Sequence, residues 1–439
     1  MARDERNELI SSTGSSSVVQ EMADPAVVPK AEQGGFLARL GALRYPMYRR
    51  FWLGSIAAVG GFNLIMLAQG VLVFDLTGSP LNLGLTGAAT AVPTILVTLF
   101  GGVLADRLDK RRLLMATQAV LAALLATLAT LDATGVIKVW HVYVIAALTG
   151  LVTGLDWPVR QAIFTRLIEL KALGSAVALN SFLWQGSRMV VPTLGGILIA
   201  WFGTAVVFYL GSIAFVIMLL VLASLRVSST VSLRPRNPLR DLMEGIDYIR
   251  RTRLFFALIP LTFANYFFGM TYIQLMPAYV DLFDGGPREI GYLFTVVGIG
   301  AVVGTVLTGR LQGGRRLGWM IMGGPLVFSG FVTLFAMSPN YLVSALTLFA
   351  AGIFSSVFLI SSMTLLQIKV PEELRGRVMG IHGITFSMIP LGGFFGGVLA
   401  DIWGVRIAIG AGAVVLVVII GSVAAYQQQL MKLDGRRSV

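Results

Sequence analysis

The chain has 439 residues, of which 56% are hydrophobic and 13% are charged, and its mean hydropathy is +0.80. Soluble domains carry about 25% charged residues, so this composition excludes an ordinary soluble protein and indicates a membrane protein. The formal net charge is +12, and the absence of cysteine excludes a disulfide framework and thiolate chemistry.

The predicted elements begin after a polar, serine-rich tail, 1–35, which lacks the apolar core of a signal peptide and is expected to be disordered in the cytoplasm. Apolar blocks of about 20 residues follow, the length of a membrane-spanning helix, so we predict an all-α membrane protein with twelve spans. The N-terminal half, 36–225, has its spans at 50–74, 82–105, 113–132, 139–165, 175–200 and 204–225. A cytoplasmic tail, 429–439, follows the C-terminal half, 254–428, whose spans are 254–280, 289–309, 317–337, 341–368, 377–400 and 405–427.

Lysine and arginine are distributed unequally between the loops on the two sides of the membrane. If the N-terminus is cytoplasmic, the outer loops contain only Lys138, Arg288 and Arg406. The positive-inside rule therefore predicts that both termini are cytoplasmic, in a multi-pass protein of a bacterial inner membrane. The basic net charge follows from this asymmetry and implies no nucleic-acid partner.

The longest internal loop, 226–253, links the two halves. Asn237 and Pro238 suit the cap and first turn of a helix. After them, apolar residues recur at helical spacing, with charges opposite, at Leu239, Leu242, Met243, Ile246 and Ile249. This pattern predicts an amphipathic helix on the inner membrane surface, and a simple linker between the halves is equally compatible with it.

Short segments repeat between the halves. GGILIAWFG at 195–203 in span five corresponds to GGVLADIWG at 396–404 in span eleven. Arg107-Leu108 likewise recurs as Arg310-Leu311, and each pair is followed by two basic residues. Two pseudo-symmetric six-helix halves are the architecture of many secondary transporters.

Six charged residues crowd into the end of GGVLADRLDKRR, residues 101–112, between spans two and three. A solvated basic loop explains Lys110 and Arg111. Asp106 is less easily explained in this way, because an acid here can pair locally or hold the positive N-terminal end of a neighbouring helix. Gly101 and Gly102 allow helices to approach closely.

Two ionisable residues are expected near mid-membrane, where charges are costly and are candidates for function. Asp156 lies about 15 Å from the inner surface by helical rise, and Arg188 is near the middle of span five. Arg160 is one turn from Asp156 on the same face. We expect Asp156 to exchange a proton, since an apolar setting favours a protonated carboxyl, and Arg188 or Arg160 to bind an anionic or amphipathic substrate. The alternative is a static ion pair between spans four and five.

Other polar or aromatic residues occupy positions suited to lining a central substrate cavity, although helix packing is the commoner role for each. The candidates are Asn63, Gln69, Asn180, Trp184, Asn265 and Tyr272. His382 can titrate near neutral pH but is expected close to the cytoplasmic end, where a role in gating or packing is favoured.

The loop after span two resembles the pattern G-x-L-A-D-R-x-G-R-R of the major facilitator superfamily, with Asp109 in place of the second glycine. The matching residues are Gly102, Leu104, Ala105, Asp106, Arg107, Lys110 and Arg111. LTGSPLNLGLTGAATAVPTILVTLF and GLDWPVRQAIFTRLIELKALGSAVALNS are similar to the branch of siderophore and drug proton antiporters. The resemblance implies a cytoplasmic gate formed by Gly102, Asp106, Arg107, Lys110 and Arg111, to which we add Arg377.

A second resemblance concerns the direction of transport. Pro192 to Gly196, PTLGG, is similar to the G-P-x-x-G-G antiporter pattern of exporting members, but Val191 stands where its first glycine would be. Bending and packing of the helix explain these residues equally well. The predicted function is proton-coupled export of a small organic molecule by a monomer in the bilayer, without cofactor or metal.

Other classes of protein fit less well. An ATP-driven pump needs a Walker loop, and the chain contains no Gly-Lys dipeptide. A membrane-embedded enzyme would need a metal site or a nucleophile with a base, and two histidines without cysteine supply neither. The paired glycine-rich halves favour a moving carrier over a channel. A proton-independent facilitator or an importer of the same fold is the strongest alternative.

Overall fold

The computed structural model describes residues 41–164, 166–169, 172–225, 238–311 and 317–426, with the side chains of 99–107, 162, 238–241, 375 and 426 excepted. The predicted terminal tails, 1–35 and 429–439, therefore lie outside the described residues. Nearly everything described is helical, as the sequence predicts.

The N-terminal half begins with α1 (Pro46–Thr77), α2 (Pro80–Arg107), α3 (Lys110–Ala133) and α4 (Val139–Phe164). The next helical stretch, Leu173–Ser224, has non-helical backbone at Gly203, which divides it into α5 (173–202) and α6 (204–224).

The C-terminal half follows a linker helix, Pro238–Arg251, which forms where the amphipathic pattern predicts it. Its spans are α7 (Arg253–Asp281), α8 (Pro287–Leu311), α9 (Leu317–Ala336), α10 (Tyr341–Lys369), α11 (Gly376–Trp403) and α12 (Val405–Tyr426).

Eleven described helical stretches are long and apolar enough to cross a membrane. One of them is Leu173–Ser224, whose 52 residues would extend about 78 Å, more than twice the thickness of a hydrocarbon core. Since this stretch divides at Gly203, each of its two parts is long enough for a separate crossing, and the count of twelve spans stays a prediction. Proline at the first helical position, as in Pro46, Pro80 and Pro287, starts several spans because its fixed φ suits a first turn.

The repeated sequence segments have the same backbone conformation in both halves. Gly203, which ends the first copy, has a φ of 80°, and Gly404, which ends the second, has a φ of 86°. Residues with a Cβ rarely adopt such angles, so glycine is required where α5 turns into α6 and where α11 turns into α12. The sequence repeat therefore reports a structural repeat.

The two halves meet along two seams, which we name α5/α8 and α2/α11. At the first seam, a Cβ on Gly196 would overlap the carbonyl oxygen of Pro287. At the second, a Cβ on Gly397 would lie 2.6 Å from the carbonyl oxygen of Pro80. These equivalent contacts lie towards the predicted outer ends of the helices. The halves are therefore in backbone contact on the predicted outer side.

Further contacts to α2 extend the α2/α11 seam. Gly84 of α2 faces the carbonyl oxygen of Gly393, at 2.9 Å from its potential Cβ. The Gln274 side chain of α7 donates a hydrogen bond to the Leu83 carbonyl, with Nε2 and O 2.8 Å apart. Glycine allows this approach because no side chain separates the helices.

Candidate functional site

Asp156 lies in a buried polar network between α3 and α4. Its carboxylate accepts hydrogen bonds at Oδ1 from Thr117 Oγ1 at 2.8 Å and from Gln118 Nε2 at 2.6 Å. Arg160, one turn along α4, donates from Nε to Oδ2 at 3.0 Å and forms an ion pair. Asp156 is only 9% exposed, so this ion pair is largely removed from water.

The network is incompletely satisfied. Gln118 Oε1 and Arg160 Nη1 are both buried, and within the described part of the chain neither has a hydrogen-bond partner. Buried polar atoms without partners are uncommon in proteins and call for a functional or structural explanation. The network holds one acid in place while leaving a neighbouring acceptor and a neighbouring donor unused.

The alternative of a static ion pair between spans four and five is not what the described residues form. The partners of Asp156 among the described residues are Thr117, Gln118 and Arg160, and Arg188 is not one of them. Similar depth on adjacent spans does not bring two side chains together, because each helix also has a rotational orientation. The predicted proximity of Arg160 to Asp156 is confirmed by the ion pair.

Arg188 instead lies at the interface between the halves. Its side chain is exposed, and its carbonyl oxygen is 3.1 Å from the potential Cβ of Gly298 in α8. Its guanidinium is within electrostatic range of the hydroxyls of Tyr266 and Tyr272 on α7. Of these two tyrosines, sequence reasoning identified only Tyr272 as a cavity candidate.

The α7 helix is irregular next to these tyrosines. Asn265–Gly269 forms a π-helical turn, a feature that occurs frequently at functional sites. Close packing accompanies it, since a Cβ on Gly392 of α11 would overlap the Phe267 carbonyl oxygen. Asn265 is 1% exposed, and its Oδ1 has no hydrogen-bond partner among the described residues.

An aromatic cluster lies one turn from Arg188. The rings of Trp184 and Trp157 contact edge to face with centroids 5.3 Å apart, and Phe62 of α1 lies 6.3 Å from Trp184. Trp157 is 46% exposed. Sequence reasoning missed Trp157, although its position directly after Asp156 was a usable signal.

The remaining cavity candidates differ in their surroundings. Asn63 donates to the Val59 carbonyl of its own helix at 2.9 Å, which fits the helix-packing alternative. Gln69 is 9% exposed, and no described residue bonds to its Nε2. Asn180 is half-buried on α5.

The predicted gate is only partly described, because only the backbone is described at Gly102, Asp106 and Arg107. Lys110 is the first residue of α3. Arg111 donates to the carbonyl oxygens of Leu222 and Ala223, at 2.8 and 2.6 Å, and so caps the end of α6.

Asp109, where the family pattern has glycine, caps the start of α3. Its carboxylate accepts from the backbone N–H groups of Arg111 and Arg112. An aspartate directly before a helix is a recognisable N-cap signal that sequence reasoning did not use.

The linker helix packs against α11 through Arg377, the last gate candidate. Arg377 Nη1 lies 2.5 Å from Glu244 Oε2 of the linker helix. Gly245 allows this approach, since a Cβ there would be 2.9 Å from Ile381 Cδ1. Ile249 is buried, whereas Met243 is exposed.

His382 follows on the same stretch of α11. It is fully buried, and neither ring nitrogen has a hydrogen-bond partner in the described part of the chain.

Two repeated helical halves, joined along paired seams with ionisable residues buried among the spans, are the architecture of a secondary transporter of the major facilitator type, and not of an enzyme. The chain belongs to the transmembrane secretion effector family, whose model matches residues 37–438.

Characterised relatives are similar at low identity. The enterobactin exporter EntS of Shigella flexneri is 23% identical over 79% of this chain and 83% of its own length. The staphyloferrin A transporter of Staphylococcus aureus is 25% identical over 81% of this chain and 87% of its own length. A bacterial homologue of the lysosomal transporter Spinster, solved inward-facing and unoccupied, superposes with a TM-score of 0.70 at 13% identity, covering 91% of this chain and 98% of that one. This last similarity shows the fold alone.

Proposed function

We propose that the protein exports a small organic molecule from the cytoplasm across the inner membrane by proton-coupled alternating access, with both termini in the cytoplasm. The buried Asp156–Arg160 ion pair is the observation that carries this proposal. A carboxylate and a guanidinium within the span region are costly to maintain and mark ion pathways. The similarity to two siderophore transporters supports a small-molecule cargo.

The geometry offers a route for a proton to alter the network. When a proton binds Asp156 at Oδ1, the carboxyl becomes neutral and the charge–charge attraction between it and Arg160 is lost. Rotation of the Gln118 amide would then turn its unused Oε1 towards a protonated Oδ1, so that the acid becomes the donor. The two protonation states thus favour different arrangements of α3 and α4. A proton bound from one side and released to the other can drive the exchange between two conformations.

The cavity between the halves receives the substrate in this proposal. In this proposal its polar residues are Arg188 of α5 with Tyr272 and Asn265 of α7, and Trp184 of α5 forms part of its apolar wall. Binding at the interface of the two repeats is the arrangement expected of a carrier whose halves rock against one another. The backbone contact along the outer seams is compatible with access from the cytoplasmic side.

An efflux experiment tests the proposal directly. Efflux-deficient bacteria expressing the protein would be loaded with dyes, antibiotics and catechol siderophores, and retention followed with and without a protonophore. We expect faster loss of at least one compound, abolished both by the protonophore and by Asp156→Asn. Asp284→Asn, which removes an exposed acid just after α7, is the matched control and should retain export.

Other outcomes would contradict the proposal in distinct ways. Loss that survives both the protonophore and Asp156→Asn would identify a proton-independent facilitator, with Asp156 and Arg160 as a static pair. Faster accumulation in place of faster loss would identify an importer.

A further inference from the structure

One cationic side chain at the interface between the halves has no counterion among the described residues. Arg188 is exposed on α5 in the N-terminal half, and no described residue forms a hydrogen bond or an ion pair with its guanidinium. The nearby acid, Asp156, is already engaged by Thr117, Gln118 and Arg160. A guanidinium at span depth without an anion is costly unless a ligand supplies one.

The opposite wall comes from the C-terminal half. Tyr266 and Tyr272 of α7 are 3% and 2% exposed, and both hydroxyls lie within electrostatic range of Arg188. Their rings are held by aromatic neighbours, Tyr266 by Phe386 at 5.1 Å and Tyr272 by Phe335 at 6.0 Å. No described residue hydrogen-bonds to either hydroxyl. A phenol hydroxyl that has no partner of its own is a suitable second donor to an oxyanion.

Two further observations indicate a larger ligand than an inorganic anion. Asn265, one residue before Tyr266 in the π-helical turn, is buried with its Oδ1 unpartnered, and so offers an acceptor to a ligand N–H or O–H group. Trp184 lies one turn from Arg188, and the half-exposed Trp157 packs on it edge to face. Aromatic surface next to a cation suits a ligand with a flat ring and a charged end.

We propose that Arg188, together with Tyr266 and Tyr272, binds the oxyanion of an aromatic, amphipathic substrate, and that this anion bridges the two halves of the transporter. The inference rests on the proposed function, since it names the substrate class of the same cavity. Because Arg188 is on α5 and the tyrosines are on α7, an anion bound to both favours conformations that hold these helices together.

Binding measurements with a matched pair of probes test the proposal. The purified protein in nanodiscs would be titrated with 2-naphthoate and with its neutral isostere 2-naphthamide, with quenching of tryptophan fluorescence as the readout. We expect the wild-type protein to prefer the naphthoate by about tenfold or more, as for a charge-assisted hydrogen bond. Arg188→Gln should abolish the preference, and Arg188→Lys should retain part of it.

The bridging element has its own variant. Tyr266→Phe combined with Tyr272→Phe removes the two hydroxyls from the other half and should reduce the preference several-fold. Arg406→Gln is the control, because Arg406 lies in the first turn of α12. This variant should leave the preference for naphthoate unchanged. Thermal unfolding and size-exclusion profiles would establish that each variant is folded.

The proposal is overturned if wild-type protein does not bind naphthoate, or if folded Arg188→Gln discriminates as well as wild type. An unchanged preference in the double tyrosine variant would refute the bridge. The measurement uses no proton gradient, so a failure of proton coupling does not affect it. Conversely, if proton-driven export is the same in Arg188→Gln as in the wild type, the proposed function stands and the proposed anion-binding site is rejected.

Discussion

The outer seams make a quantitative prediction about conformational balance. At Gly196 the nearest neighbours of an added Cβ are backbone atoms of Pro287 and Arg288, which cannot rotate away as a side chain can. Gly196→Ala should therefore force α5 and α8 apart at their outer ends. Overpacking of this kind costs about 1–3 kcal/mol, which changes a conformational equilibrium by about 5- to 150-fold.

The absence of cysteine in the chain provides a clean assay for this shift. A single cysteine introduced by Arg188→Cys at the interface would be labelled in spheroplasts by a membrane-impermeant maleimide added from outside. Gly196→Ala in the same background should raise the labelling rate by about 5- to 150-fold if it destabilises the outer-closed state. Gly186→Ala is the matched control, since it lies on the same helix and a Cβ there meets nothing within 4 Å.

Either of two results would refute this reasoning. A labelling rate that is the same in Gly196→Ala as in its parent would mean that the seam does not control outer access. An equal rise in Gly186→Ala would mean that any alanine in α5 loosens the bundle, so the specific contact with Pro287 would not be responsible.

Further predictions concern the described residues outside the cavity. Glu244→Gln should weaken the attachment of the linker helix to α11 by no more than about 1 kcal/mol, because the ion pair with Arg377 is partly exposed. The expected result is faster limited proteolysis of the linker, and exchanging Glu244 and Arg377 should restore the wild-type rate. Arg111→Gln should lower the thermal stability of the purified protein by about 1–3 kcal/mol through loss of its bonds to α6, and impaired transport at unchanged stability would instead support the gate assignment. Gly203→Ala and Gly404→Ala should each destabilise the protein by at least about 1 kcal/mol, because both glycines have a positive φ. Thermal unfolding measures the effect, and a variant as stable as the wild type would contradict the requirement for glycine.

The positions of the spans could be predicted because they depend on local sequence features, namely hydropathy and the helix breaks at proline and glycine. The break between α5 and α6 is visible in the sequence as the repeated WFG and IWG segments, and the structure places the glycine of each in the same unusual conformation. The ion pair of Asp156 with Arg160 was likewise within reach, since a spacing of four residues on one helix fixes two side chains on one face.

The rest of the candidate site depends on how helices are rotated and which neighbours they acquire. Thr117 and Gln118 bind Asp156 from α3, but uncharged polar residues in an apolar span carry no sequence signal for such a role. Arg111 belongs to a basic loop that composition explains fully, and its contact with the end of α6 depends on tertiary packing. The orientation of the helices likewise decides that Asp156 pairs with Arg160 of its own helix, and this could not be distinguished from the alternative of a pair between spans four and five.

The glycine-lined seams have a mechanical consequence. Helices that interlock through side chains must pull ridges out of grooves before they can turn, which adds a barrier to the motion. Where Gly84 meets Gly393 and Gly196 meets Pro287, backbone lies directly against backbone, so hydrogen bonds such as the one from Gln274 to Leu83 must break there but no side-chain ridge must leave a groove. The two halves can consequently rotate against each other with a low steric barrier. The free-energy difference between the conformations open to either side is then set mainly by what occupies the space between the halves.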